Sequence, residues 1–308
     1  MSYNLRHLKY FIATAELGQV SRAAMELSVS QSAVTAAIRE LEQILGAELF
    51  VRSSLGMTLT EVGRGFLASG YEIIAKVEES LRTEQPLDLK GELLVAASYT
   101  VIGYFLPIHF QRLQRLLPSV TLSLREMSRT ALEEALQDGQ IDIGVALTSN
   151  VGNPEIASET LMSSPRRLWL PSRHPFLERE VVRLRDVSDE PYVMLTVDEA
   201  ANTAMRYWSE TSHRPDVILR TASVEAVRSM VANGLGVSIL SDMVYRPWSL
   251  EGRRLELREL VEPIPPMDVG LVWRRDASFT PEMTAFRDYF RTHVMMAQNA
   301  PLMMRAGH

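Results

Sequence analysis

Apolar residues near the start of the chain recur as Leu5, Leu8, Phe11 or Ile12, and Ala15. That spacing predicts a helix, and Gly18 stops it. Ser21 reads as the N-cap of a short second helix over residues 22–27. Ser28, Val29 and Ser30 form a tight turn, and Ser30 caps a third helix that runs to Leu45 and ends at Gly46. The stretch ELFVRSSLGMTLT is short and extended, with a turn at 53–56, and predicts a hairpin or wing. Thr60 then caps a long helix over residues 61–85, with Val62, Phe66, Ile73, Val77 and Leu81 at steps near three and four. Pro86 ends it, and QPLDLKG is a linker.

After Gly91 the texture changes. ELLVAAS, FLPIHFQRLQRLLP, VTLSLREM, RTALEEALQDGQ and IDIGVAL alternate between strand and helix patterns. This is the signature of an α/β domain with a largely parallel sheet. A second set follows: RRLWLP, YVMLTVD, an amphipathic stretch at 200–210, VILRT, VEAVRSMVANG and VSILSD. DVGLVWRR is a last strand and PEMTAFRDYFRTHV a last helix. The tail, MMAQNAPLMMRAGH, has little pattern and reads as disordered.

The third helix has two unlike faces. With Ser32 at zero on the helical wheel, Thr35, Ala36 and Arg39 fall within about 60° of it, and Gln31 lies close by. Val34, Ala37, Ile38, Leu41 and Leu45 cluster on the opposite side. The helix therefore packs through one side and presents Gln31, Ser32, Thr35, Ala36 and Arg39 on the other. The preceding helix supplies Ala23 and Ala24, small enough for two helices to cross closely. This is a helix-turn-helix pattern, whose second helix enters the major groove of DNA. Gln pairs bidentately with adenine and Arg with guanine, while Ser and Thr serve base or phosphate. Ser30, at the helix start, sits beside N–H groups that attract phosphate. Arg52, at the start of the wing, is placed to reach a phosphate or the minor groove. Taken singly, each residue has an ordinary reading as a cap or a solvated face; the constellation of turn, spacing and wing favours DNA.

Bulk charge does not carry this reading. The chain is acidic, with a net charge of −6, yet residues 1–66 hold six basic and six acidic side chains. A site-specific binder needs only a local surface of the right sign. The 308 residues suffice for at least two domains, and 46% apolar with 23% charged content describes a soluble globular protein. No apolar run is long enough to span a bilayer. The N-terminus is no signal peptide, so a cytoplasmic location is expected. With no cysteine, disulfides, thiolate nucleophiles and zinc–thiolate sites are excluded.

The stretch LRHLKYFIATAELGQVSRAAMELSVSQSAVTAAIRELEQILGAELFVR, followed by LTEVGRGFL, resembles the LysR-type transcriptional regulators. The SQSAVT, IRELE, LGAELFVR and LTEVG blocks match that family in order and spacing. EMSRTALEEALQDGQIDIGVAL and VEAVRSMVANGLGVSIL are similar, more loosely, to its effector domain. Ser28 stands at the turn where helix-turn-helix motifs often have glycine. The resemblance implies an α/β protein overall: an N-terminal all-α winged helix-turn-helix over residues 1–60, then a linker and dimerisation helix with its hinge over 61–90. An effector domain over 91–300 follows, two-lobed like periplasmic solute-binding proteins. Lobe 1 takes residues 91–163 and 268–300, and lobe 2 takes 164–267. The family further implies dimers, commonly paired into tetramers, on double-stranded DNA with an interrupted palindrome, acting beside RNA polymerase. It implies a small-molecule effector in the cleft between lobes and no other cofactor. The apolar seam of the long helix has nothing local to pack on. It can pair with a second chain or lie on the protomer's own effector domain.

On that fold the cleft is lined by strand-to-helix loops, where α/β proteins bind ligands. The expected effector-binding residues are Ser98, Tyr99, Thr100 and Ile102 after the first strand, and Thr148 after IDIGVAL. Thr196 and Thr203, with Asp198 between them, follow YVML, and Ser223 and Val224 open another helix. Their hydroxyls and helix N–H groups favour a small organic anion, with Arg129 or Arg206 as a charged anchor. Taken singly, each Ser or Thr reads more readily as a plain N-cap; their convergence on one cleft comes from the fold. Two other functions fit less well. A solute receptor for transport suits the two lobes but not the first 85 residues. An enzyme lacks support, because the six histidines are scattered without metal spacing and GLGVSIL is no dinucleotide or phosphate fingerprint.

Overall fold

A computed structural model describes residues 3–53, 56–80 and 87–295, without the side chains of residues 52, 53, 75, 78–80 and 295. The tail beyond residue 295, the end of the long helix at 81–85 and the tip of the wing lie outside the described residues. The chain divides into two compact units, Met1–Gln85 and Pro86–His308.

In the first unit, α1 (Leu5–Leu17), α2 (Val20–Glu26) and α3 (Gln31–Leu45) precede the hairpin strands β1 (Phe50–Ser53) and β2 (Gly56–Leu59) and the helix α4 (Glu61–Ser80). Asn4 caps α1 by accepting from the Arg6 and His7 amides, and Gly18 and Gly46 close α1 and α3 in the left-handed conformation. Ser21 does not cap α2, contrary to expectation; Gln19 holds that place without a side-chain bond, and the helix begins two residues earlier than its polar start suggests. The core is Leu8, Phe11, Ala15, Ala23, Ala24, Val34, Ile38, Leu41 and Leu49, each almost wholly shielded. Phe11 lies 5.2 Å from the Phe50 ring and 5.0 Å from the Phe66 ring, so α1 joins the hairpin to α4.

The second unit runs β3 (Gly91–Ala97), α5 (Tyr99–Tyr104), α6 (Leu106–Leu116), β4 (Val120–Glu126), α7 (Arg129–Gln137), β5 (Ile143–Leu147) and β6 (Ile156–Ser164). It continues through β7 (Arg166–Pro171), α8 (Leu184–Val187), β8 (Pro191–Leu195), α9 (Ala200–Ser209), β9 (Asp216–Thr221) and α10 (Val224–Ala232). The last elements are β10 (Ser238–Ser241), β11 (Leu255–Arg258), β12 (Met267–Arg274) and α11 (Pro281–Phe290). Two sheets result. The first is ordered β4-β3-β5-β12-β6. In the second, β8 and β9 pair in parallel, and an isolated bridge from Tyr192 to Val237 leads on to β10-β7-β11. The chain leaves the first sheet at β6–β7 and returns at β11–β12, which makes two lobes.

The sheets are mixed rather than largely parallel. β3 pairs in parallel with β4 and β5, but β12 pairs antiparallel with both β5 and β6. A strand that re-enters from the other lobe runs opposite to those with helical crossovers. Strands β6 and β11 carry no strand signal in the sequence: IASETLMSS and LELR are polar-rich edges held by partners far along the chain. Lobe 1 is centred on Leu93, Val95, Leu113, Phe286 and Phe290, and lobe 2 on Trp169, Tyr192 and Trp208. Burying each such side chain contributes roughly 1.5–3 kcal/mol. No helix among the described residues is long and apolar enough to cross a membrane.

Candidate nucleic-acid interface and ligand cleft

Helix α3 presents the face its sequence predicts, except that Leu45, in its last turn, is exposed rather than packed. Val34, Ile38 and Leu41 are fully shielded and Ala37 nearly so, while Gln31, Ser32, Ala36 and Arg39 are exposed and Thr35 is half-buried. The Ser30 hydroxyl accepts from the Ala33 amide at 3.2 Å and lies 3.0 Å from the Ser32 hydroxyl. It therefore caps the helix first, and a phosphate contact would share that oxygen. Thr35 donates its hydroxyl to the Gln31 carbonyl at 2.9 Å. Its proton is used within the helix, so Thr35 can offer only a lone pair and its methyl outward. Gln31 and Arg39 make no side-chain bond among the described residues, and both keep their full donor sets for a ligand.

The turn before α3 carries strain. Ser28 has φ 53°, a conformation that crowds Cβ in any residue but glycine. The turn demands it: the Leu27, Ser28 and Val29 amides close on the carbonyls of Ala23, Met25 and Ala24. The Ser28 side chain is exposed and makes no described hydrogen bond, so replacing it removes strain and no contact. Ser28→Gly is expected to stabilise the N-terminal unit by about 1 kcal/mol, read as a raised unfolding midpoint with DNA affinity unchanged.

The wing is fixed to α3 through Glu42, whose carboxylate accepts from the Leu49 and Phe50 amides at 3.0 and 3.4 Å. Arg52 sits in β1 opposite Met57; its side chain lies outside the described residues. Thr60 joins wing to α4, donating to the Glu48 carbonyl at 2.7 Å and accepting from the Gly63 amide at 2.9 Å. Tyr71 on α4 donates to Glu16 on α1 at 2.7 Å.

In the second unit the strand ends of the two lobes meet. Asp198 of lobe 2 accepts from the Thr100 amide at 2.6 Å, and its carbonyl accepts from the Asn150 side chain at 3.2 Å. Arg129 donates to Glu199 at 2.7 Å and to Glu133 at 3.0 Å, and these two bonds raise its pKa. At the far end of α5, Tyr104 donates to Glu225 at 3.3 Å. Burial raises the Tyr104 pKa, opposed by the nearby Arg228 charge, so the phenol keeps its proton at neutral pH. Arg228 is buried, bonded to Glu225 and to the Val244 carbonyl.

Several expected cleft residues are placed differently from their sequence reading. Ser98 precedes α5 but does not cap it; its hydroxyl is buried with no partner among the described residues, and Asp198 holds the Thr100 amide instead. Tyr99 is exposed, and Ile102 packs against the lobe 1 core. The Thr148 hydroxyl bonds that of Thr160 at 2.8 Å, within its own lobe. The Thr196 amide donates to the Thr221 carbonyl. Thr203 is on the buried face of α9 and accepts from Arg206. Ser223 caps α10 through the Ala226 amide, and the Val224 side chain is wholly in the lobe 2 core, leaving only backbone to face a ligand. Arg129 is already paired with two carboxylates. Of the residues that bridge the lobes, Asp198 is expected at the cleft from its place after YVML, whereas Glu199, Asn150 and Glu225 carry no local motif; the pairing of Arg129 with Glu133 follows from their i,i+4 spacing.

Residues 5–64 match the model of the bacterial regulatory helix-turn-helix protein, lysR family, and residues 88–295 match that of the LysR substrate binding domain. The RuBisCO operon transcriptional regulator of Allochromatium vinosum is 31% identical over 294 residues, 94% of this chain and 96% of that regulator. The transcriptional regulator AlsR of Bacillus subtilis is 29% identical over 253 residues, 80% of this chain and 83% of AlsR. The crystal structure of HinK, a LysR family transcriptional regulator from Pseudomonas aeruginosa, superposes with a TM-score of 0.62 at 26% identity, covering 95% of this chain and 99% of that one. These relatives are transcriptional regulators, not enzymes. With a helix-turn-helix domain at its start and a substrate-binding domain over most of its length, the chain belongs to the LysR family of transcriptional regulators.

Proposed function

We propose that this regulator reads an interrupted palindrome in double-stranded DNA through Gln31, Ser32, Thr35 and Arg39, with Ser30 and Arg52 on phosphates. The observation that carries this is the division of α3: one face wholly shielded in the core, the other exposed with Gln31 and Arg39 uncommitted among the described residues. On this reading the DNA-binding part is 1–60, the linker and dimerisation helix 61–90, and the effector domain 91–300. The protein works in the cytoplasm beside RNA polymerase, as a dimer or a dimer of dimers. A small organic anion binds in the cleft between Ser98–Thr100, Thr148, Thr196 and Ser223 and alters transcription. The convergence of lobe 1 donors on the cleft, the Thr100 amide, Arg129 and Asn150, supports an anionic ligand.

Fluorescence anisotropy on the DNA upstream of its own gene, against a scrambled duplex at two salt concentrations, tests the DNA half. Tight binding lost on scrambling, and weakening with salt, is the expected result. Equal weak binding to both duplexes, or none at low salt, would leave α3 as merely a capped helix. Thermal-shift screening of small carboxylates tests the effector half; a raised midpoint for one of them, and not for its neutral amide, is expected.

A further inference from the structure

We infer that Val197–Glu199 is a strained strap with which lobe 2 closes the cleft on lobe 1, and that release of Asp198 from Thr100 lets the lobes separate. Asp198 and Glu199 are consecutive non-glycine residues in the left-handed region, at φ 49°, ψ 38° and φ 62°, ψ 21°. Side chains avoid that region because Cβ crowds the backbone carbonyl, and two in succession persist only when surrounding contacts impose them.

Those contacts come from the other lobe. Asp198 holds the Thr100 amide on α5, its carbonyl holds Asn150 after β5, and Glu199 holds Arg129 on α7. Within its own lobe the strap is anchored through Thr196 to the Thr221 carbonyl, through Ala200 to the Val197 carbonyl, and by the apolar Val197 side chain, which packs against the lobe 2 core. Its polar side chains are thus committed across the cleft.

The two ends of α5 differ in kind. At its C-terminal end, Tyr104 meets Glu225 in the first turn of α10, an unstrained helix, and the Arg246 guanidinium lies 5.8 Å from the Tyr104 ring centroid. This end can remain in contact as a pivot. At its N-terminal end the partner is the strained strap, which relaxes when it lets go. The crossing between lobes is pinned separately, by Arg166 donating to the Pro265 and Pro266 carbonyls, the latter at 2.6 Å. Lobe 1 offers donors here and the strap supplies acceptors. An anionic effector needs those same donors, so strap and effector compete; this last step rests on the effector proposed above.

The test exploits a chain without cysteine. Glu134→Cys on α7 and Glu210→Cys after α9 are both exposed positions, one on each lobe. Spin labels there report lobe separation by double electron–electron resonance in the full-length protein, diluted with unlabelled chain to suppress distances between copies. The parent pair is expected to give one narrow distance distribution. Added Asp198→Ala should lengthen and broaden it. Arg129→Gln, which frees Glu199 from the lobe 1 side and leaves the strap sequence intact, should do the same and guards against a misfolded first variant. A distribution unchanged from the parent in both folded variants overturns the strap. Because no effector is present, that outcome leaves the effector reading untouched. Failure of every carboxylate to bind would leave the distance result standing.

Discussion

Replacing Gln31 and Arg39 together with alanine is expected to erase discrimination between the operator and scrambled DNA while leaving weak, salt-sensitive binding to both. Each good bidentate contact to a base contributes about 1–3 kcal/mol of discrimination. The two side chains stand two turns apart on α3 and share no described partner, so their effects should add to about 2–6 kcal/mol. Ala36, exposed between them, adds little bulk to that face. The single variants separate the roles. Gln31→Ala should relax preference at one base position. Arg39→Ala should do the same if it reads a guanine, but should flatten the salt dependence by about one unit on every sequence if it neutralises a phosphate. Anisotropy titrations of a panel of point-substituted operators decide between these. Equal loss on operator and scrambled DNA for the double variant would remove both residues from base readout.

Gly63→Ala and Gly65→Ala should move stability in opposite directions, although both add one methyl group to α4. Helix propensity alone predicts stabilisation of about 1 kcal/mol for each. A Cβ on Gly65 meets nothing within 4 Å, so it should gain that amount. A Cβ on Gly63 would lie 2.1 Å from the Leu49 carbonyl oxygen. That oxygen cannot retreat freely, since it accepts from the Thr60 amide at 3.0 Å where the wing meets α4. The clash should outweigh propensity and destabilise the N-terminal unit by about 2–3 kcal/mol. Unfolding midpoints of the two variants beside wild type measure this. A stabilised Gly63→Ala would mean the wing and α4 are not packed as closely as described. The same variant should lose operator binding on warming before the effector domain unfolds.

How much of this was legible beforehand depended on how local the physics is. The alternation on α3, its Ser30 cap and its Gly46 stop are contacts within about four residues, and the chain displays them directly. The inner strand β3 was equally plain, since a strand covered on both faces reads as a continuous apolar run. β6 was not: Ser158, Glu159 and Ser163 look like a loop until β12, about a hundred residues on, supplies their hydrogen bonds. The mixed direction of the sheet follows from the same return crossing, which no local pattern encodes.

The cleft shows the division most sharply. By itself the sequence determined the exposed polar face of α3, most of the order of strands and helices, and the loops that end at the cleft, because periodicity, caps and breakers act over one or two turns. It also offered Ser98 as an effector contact or a plain cap and Arg129 as a charged anchor, but the amide beside Ser98 and the Arg129 guanidinium both take partners from elsewhere. Asp198 takes the amide that Ser98 would cap, from 98 positions away, and Glu199 takes Arg129 from 70. Only the tertiary structure decided those pairings, because a hydrogen bond is set by distance in space, and the folding of two lobes from one twice-crossing chain brings together residues whose separation in sequence carries no signal.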